Sequence, residues 1–284
     1  MLHFQTPCDV VVLAGQSNAQ GYGTGEVSEP YEADERVLIL GNRIPTYKHD
    51  GEGKEYLEVF EPWEYNIRVA TLGERGCFGL YFAREYIKKG LLKEGRKLLI
   101  VYAAVGGTGF GDRAWGTNAA SHYSGYWTQD GPLYRRMLEM IDDALALNPE
   151  NELVAFLWHQ GESEAWNNID GDELAAKNLR EKYYGYLSTL LDAVRARYGA
   201  PKLPIVAAKF VNEWERSNET ACESVYQATE RAIAERGGAY LETADLPSNN
   251  QVTGNGDELH FSHEALRLLG ARYCAAYEKL LAER

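Results

Sequence analysis

A chain of 284 residues, 45% of them hydrophobic, is long enough for one large α/β domain or two small ones with a sizeable core. Its formal charge of −13 excludes nucleic acid and anionic membrane surfaces as partners, because both need basic patches. Four scattered cysteines, Cys8, Cys77, Cys222 and Cys274, form no C-x-x-C pair or mixed Cys/His cluster, which argues against a metal site, and no apolar run is long enough to span a membrane.

Residues 1–7 show no basic segment followed by an apolar stretch, so no signal peptide is visible, and a cytoplasmic protein with reduced thiols is expected. Residues 10–14 are a continuous apolar run and predict a strand buried on both faces, ended by Gly15. Gln16, Ser17 and Asn18 follow. Ser17 stands just past the carboxyl end of that strand, where open α/β sheets place their ligands, and it is either a cap of the next turn or a presented nucleophile. Residues 37–40 predict a second strand. Residues 41–76 are polar and rich in Gly, Glu and Tyr, and predict irregular structure with a hairpin.

Apolar residues at helical spacing (Phe78, Tyr81, Phe82, Tyr86) predict a helix over 78–89, and 97–104 is the next buried strand. Residues 106–131 lack periodicity. A loop of that length in a compact domain is usually functional, and its rings, including Trp115, Tyr123, Tyr126 and Trp127, either pin it to the body or line a substrate cleft. Helices are predicted over 132–147, 172–198, 219–236 and 263–282, the last capped by Ser262; strands are predicted over 152–158, 203–210 and 239–243. Strands alternating with helices imply a parallel sheet with helices on both faces, a three-layer α/β/α sandwich, taken as a single domain over 1–284.

In such a sheet the carboxyl ends of the strands share one rim. Four segments fall there: Gly15-Gln16-Ser17-Asn18, Gly106-Gly107-Thr108, His159-Gln160-Gly161-Glu162-Ser163 and Asp257-Glu258-Leu259-His260. Together they hold the parts that serine hydrolysis requires. A serine needs an adjacent base, the base needs an orienting carboxylate, and the tetrahedral intermediate needs fixed N–H donors. Ser17 supplies the hydroxyl, His260 the base and Asp257 its partner. The N–H groups of Ser17 and Gly107, with Gly106 as the alternative glycine, and the Gln160 amide are the candidate oxyanion donors. Each also has a structural reading: glycine pairs make turns, buried glutamines brace cores, and Asp257 and His260 can be ordinary turn and packing residues. Glu162 is the rival acid, which either orients His260 or holds Gln160 and the Ser17 loop. The other histidines, His159, His263, His3, His49 and His122, are weaker candidates for the base.

These four segments, in this order, resemble the sialate O-acetylesterase-like branch of the SGNH hydrolases, which is grouped with the carbohydrate esterase family six acetylxylan esterases; the resemblance runs from about Val10 to the last helix. It implies a flavodoxin-like α/β/α sandwich, a serine esterase that uses no metal or cofactor, and removal of acetyl groups from sugars. On that resemblance Ser17 is the nucleophile, Asp257 and His260 complete the triad, and Ser17, Gly107 and Gln160 form the oxyanion hole. SGNH enzymes in general carry asparagine at the third segment; this chain carries Gln160. The expected partner is an acetylated oligosaccharide or sugar, with Trp115 and Trp127 lining its side of the cleft and the oligomeric state left open. The alternatives are a non-catalytic carbohydrate-binding protein on the same fold and a lipase- or thioesterase-like hydrolase.

Overall fold

The computed structural model describes residues 5–41, 47–49, 55–57, 66–72, 75–111, 126–129, 131–168 and 171–284. Cys8–Gly15 forms β1, and Ser17–Gln20 a single turn, α1. Val37–Gly41 is β2. Tyr47–His49 (β3) and Glu55–Leu57 (β4) pair as an antiparallel ribbon, in the region where the sequence suggests a hairpin. Asn66–Val69 (β5), Phe78–Lys88 (α2), Lys97–Tyr102 (β6), Pro132–Ala146 (α3) and Glu152–His159 (β7) follow. The remainder runs Glu162–Trp166 (α4), Glu173–Arg197 (α5), Ile205–Ala208 (β8), Asn212–Arg216 (α6), Glu219–Ala234 (α7), Ala239–Leu241 (β9), Asn249–Thr253 (α8) and His263–Ala282 (α9).

Seven strands form one sheet in the order β5-β2-β6-β1-β7-β8-β9. Every pairing in it is parallel except β2 with β5, an antiparallel edge strand that the sequence pattern did not reveal. All eight residues of β1 are buried, as a central strand covered on both faces requires. Its side chains alternate between two cores. Val10, Val12 and Ala14 face the layer of α3, α5 and α7, and Val11 and Leu13 face α2 and α9. Each buried valine or leucine contributes about 1.5–3 kcal/mol relative to an exposed one.

The chain winds outward in both directions from β1: β2 and β6 lie on one side, and β7, β8 and β9 on the other. The carboxyl end of β1 is therefore the point where the two halves of the sheet part, and the crevice there is the usual ligand position of an open parallel sheet. The long helices start and stop close to where periodicity and capping place them. Asp172 caps α5 by accepting from the Ala175 N–H, and Ser262 caps α9 by accepting from the Ala265 N–H.

Candidate active site

β1 delivers Ser17 through a turn that only glycine permits. Gly15 has φ +137°, and a Cβ there would lie 2.0 Å from the carbonyl oxygen of His159. The close approach lets the Gln16 N–H bond that same carbonyl at 3.0 Å, locking the end of β1 to the end of β7. Ser17 opens α1 without capping it. The N-cap position belongs to Gln16, whose side chain makes no cap bond. The two amides that flank Ser17 reach in different directions. The Gln16 Oε1 accepts from the N–H groups of Gly161 (3.4 Å) and Ser163 (3.2 Å) and from the Gln160 Nε2 (3.1 Å), all on the turn after β7. The Asn18 Nδ2 donates to Glu162 Oε1 (2.9 Å) and to the Leu259 carbonyl (3.2 Å), while its Oδ1 accepts from the Phe261 N–H (3.0 Å). Ser17 is thus held between the third and fourth segments of the rim.

Asp257 and His260 meet as the sequence suggests. The His260 Nδ1 lies 2.9 Å from both carboxylate oxygens of Asp257. An ionised carboxylate only accepts, so Nδ1 carries the hydrogen, and in the neutral ring Nε2 is the nitrogen with the free lone pair. Asp257 is itself fixed, accepting from the His260 N–H (3.2 Å) and from the Asn249 Nδ2 (2.8 Å). Burial works to raise its carboxyl. The hydrogen bond and charge of His260, helped by Asn249, outweigh burial and hold it below the usual carboxylate range. Tyr22 stacks on the imidazole, with ring centroids 4.9 Å apart and planes at 21°.

The Ser17 hydroxyl and the His260 ring are not hydrogen-bonded to each other in this structure. They are joined through Asn18, which grips the residues on both sides of His260, and through Tyr22. A Cβ built on Gly106 would meet the Tyr22 Oη at 3.2 Å and the Ser17 Cβ at 3.4 Å, so the Tyr22 ring, Gly106 and Ser17 border one small space. Catalytic hydrogen bonds are often long in the absence of substrate and tighten when it binds.

The oxyanion donors divide. The Gly106 N–H is taken by the Gln20 Oε1 at 2.7 Å, which removes Gly106 from the set. Gly107, at φ +71°, and Ser17 have backbone N–H groups that meet no acceptor among the described residues. Gln160 departs from expectation. Its Nε2 donates to Gln16 Oε1, to the Thr108 carbonyl (3.1 Å) and to Glu164 Oε2, and its Oε1 accepts from the Tyr183 hydroxyl (3.0 Å). With two hydrogens and three internal acceptors, the amide at rest is a brace between segments.

Glu162 does not touch His260 and so is not its orienting acid. It is buried, and burial pushes its carboxyl up to about 7, although the Asn18 hydrogen bond works the other way. His159, which lies among Phe78, Phe210 and Phe261, is pushed down to about 3 by burial. Trp127 is fully buried, donates its indole N–H to the Thr108 Oγ1 at 3.0 Å and packs edge-on against Trp158; it pins the loop to the core and lines no cleft. Trp115 falls outside the described residues. Two residues that the sequence gave no reason to select are Tyr22 and Asn249. Asn249 ties Asp257, the Tyr22 carbonyl (3.0 Å), the Thr24 N–H (2.7 Å) and the His260 carbonyl (2.8 Å) into one knot. A capping box, Ser248 with Gln251, marks the start of its helix α8 and was the available signal.

Comparisons with known proteins bear on the family and the fold. Residues 7–279 match the family model described as carbohydrate esterase, sialic acid-specific acetylesterase. A relative from Escherichia coli (strain K12), named as a probable 9-O-acetyl-N-acetylneuraminic acid deacetylase, is 27% identical over 177 residues. That match spans 54% of this chain and 52% of the relative, about half the length of each. Among solved structures, NanS superposes with a TM-score of 0.71 at 18% identity, covering 98% of this chain and 99% of that one. A carbohydrate acetylesterase from Xanthomonas citri superposes with a TM-score of 0.63 at 16% identity, covering 97% of this chain and 57% of that one. At these identities the structural likenesses establish the shared α/β/α fold.

Proposed function

This chain belongs to the sialic acid-specific acetylesterase family of carbohydrate esterases, and from that premise we propose that it is a serine esterase that removes O-acetyl groups from sugars. The observation that carries the reading is the Asp257–His260 pair at 2.9 Å, with the residues on both sides of His260 tied to the residue that follows Ser17. The Ser17 Oγ attacks the acetyl carbonyl as the His260 Nε2 takes its proton, and Asp257 stabilises the imidazolium that forms. The N–H groups of Ser17 and Gly107 receive the negative charge that develops on the carbonyl oxygen; one such donor is worth about 3–4 kcal/mol of barrier. The imidazolium then protonates the departing sugar oxygen. Water, deprotonated by the same nitrogen, releases acetate from the acetyl-Ser17 intermediate.

The substrate class is an O-acetylated carbohydrate. Within it, 9-O-acetyl-N-acetylneuraminic acid is the first choice, because the Escherichia coli relative carries that activity in its name. Acetate release across 9-O-acetyl-N-acetylneuraminic acid, acetylated xylo-oligosaccharides and simple sugar acetates tests the reading, with Ser17→Ala as the control. Acetate should be released by the wild type and not by the variant. No release from any sugar, or turnover that survives in Ser17→Ala, overturns it.

A further inference from the structure

Glu162 is the buried carboxyl at this site that the hydrolysis steps leave unused. Resting on the esterase reading, we propose that Glu162 is a positioning residue for the base: it holds the Asn18 amide in one orientation, and that amide fixes the backbone on both sides of His260. Asn18 is fully buried and Glu162 nearly so. The Asn18 Nδ2 serves two acceptors, Glu162 Oε1 at 2.9 Å and the Leu259 carbonyl at 3.2 Å. Its Oδ1 serves one donor, the Phe261 N–H at 3.0 Å. A flipped amide would set Oδ1 against two acceptors and Nδ2 against a donor. A carboxyl oxygen at position 162 penalises that flip, because it accepts where the Nδ2–H must point.

The surroundings of Glu162 give it no competing task. Its Oε2 and the His159 Nε2 have no hydrogen-bond partner among the described residues, and the nearest approach of the pair is 3.6 Å from Nε2 to Oε1. The Tyr273 hydroxyl donates to the Trp158 carbonyl at 2.9 Å, so its oxygen is free to accept the His159 Nδ1–H at 3.3 Å. The neutral His159 then turns a bare Nε2 towards the carboxyl. The other titratable groups that bear on Glu162 are Glu164 on α4, Tyr183 on α5, Cys222 on α7 and Tyr273 on α9, and none of them supplies a positive charge. Asn18 is therefore the side-chain donor that engages it, and the path runs from Glu162 through Asn18 to residues 259 and 261, and so to the imidazole.

A double-mutant cycle with the full chain and p-nitrophenyl acetate tests this, using wild type, Glu162→Leu, Asn18→Ala, the Glu162→Leu/Asn18→Ala double variant and Ser17→Ala, with Glu162→Gln as the conservative control. Displacing a catalytic group by about 1 Å loses on the order of 100-fold in rate. Glu162→Leu, which removes the accepting oxygen, should lower kcat by about 10–100-fold with KM within about twofold, while Glu162→Gln, which keeps one, should stay within about threefold of wild type. The double variant should be no slower than Asn18→Ala alone, because the path is already cut. Asn18→Ser takes its place in the cycle if Asn18→Ala does not fold. Wild-type kcat in Glu162→Leu, a loss in Glu162→Gln as deep as that in Glu162→Leu, or losses that add in the double variant each overturn the inference. A wild type that does not turn over the ester, or a Ser17→Ala that does, defeats the esterase reading itself and is distinguishable from those outcomes.

Discussion

The turn after β7 and the turn ahead of α9 each bring an acid and a histidine, three residues apart, to the same rim: His159 with Glu162, and Asp257 with His260. In the first pair the closest approach is 3.6 Å, and both side chains are sealed from solvent. Burial drives the two groups towards neutrality, Glu162 up to about 7 and His159 down to about 3. In the second pair the contact is 2.9 Å, and the side chains of His260 and Asp257 remain 17% and 29% exposed. There the hydrogen bonds from His260 and Asn249 overcome desolvation and keep the aspartate ionised. Residue type and spacing are shared. Solvent access and the number of donors around the carboxylate decide which pair holds charge, and only a charged carboxylate can support an imidazolium.

The largest effect that separates the two pairs is on turnover. His260→Ala should lower kcat by about 10,000-fold or more, the scale seen when a triad base is removed. Asp257→Asn should follow with a loss approaching about 10,000-fold, because an amide selects the wrong tautomer. His159→Phe, placed among the three phenylalanine rings that already surround it, should keep kcat within about tenfold of wild type. Initial rates on p-nitrophenyl acetate measure all three. A loss from His159→Phe as deep as that from His260→Ala would erase the distinction.

A smaller effect appears in stability against pH. The carboxyl of Glu162 titrates near 7 when folded and near 4.5 as an ordinary side chain. The folded state therefore holds the proton more tightly, so its contribution is fully present below about 4.5 and is lost as pH rises through about 7. The full difference is on the order of 3 kcal/mol. Glu162→Gln removes the ionisation, so its melting temperature relative to wild type should rise by a few degrees between pH 5 and pH 8. Thermal melts at the two values test this. A relative melting temperature that falls over that interval would place the carboxyl's folded pKa below its ordinary value.

The long elements and the contact between Asp257 and His260 were legible in the sequence because their signals are local. The apolar run of β1, the helical spacing of α2 and the cap of α9 each lie within one stretch of chain, and Asp257 and His260 are close enough in sequence to meet on one turn. The antiparallel β5 was not legible, because strand direction is decided by a partner elsewhere in the chain. The five-residue helices α4, α6 and α8 are too short to show a period. Asn249 was missed because its four partners come from two other segments, residues 22–24 and 257–260. Gln160 and Trp127 were assigned by residue type and place along the chain, with the family resemblance added for Gln160. Chemistry that suits an oxyanion hole or a sugar platform also suits a brace or a core ring, and only the observed partners separate the two uses.

The smallest expected effect on turnover concerns Gln160, and it tests the same lesson within a single side chain. If the amide braces the rim, Gln160→Met leaves Glu164 without the donor that now holds its Oε2, and a buried acceptor left unpaired costs about 1–3 kcal/mol. Gln16 would still hold the N–H groups of Gly161 and Ser163, so the Ser17 turn stays anchored. The melting temperature should then fall by several degrees, while kcat stays within about tenfold of wild type. If instead the amide leaves its internal acceptors during the reaction and bonds the tetrahedral oxygen, kcat should drop by about 100- to 1,000-fold, as for other lost oxyanion donors. Melting curves and initial rates on one variant distinguish the outcomes. The second would restore Gln160 to the oxyanion hole and show that a side chain satisfied at rest can still be recruited in the transition state.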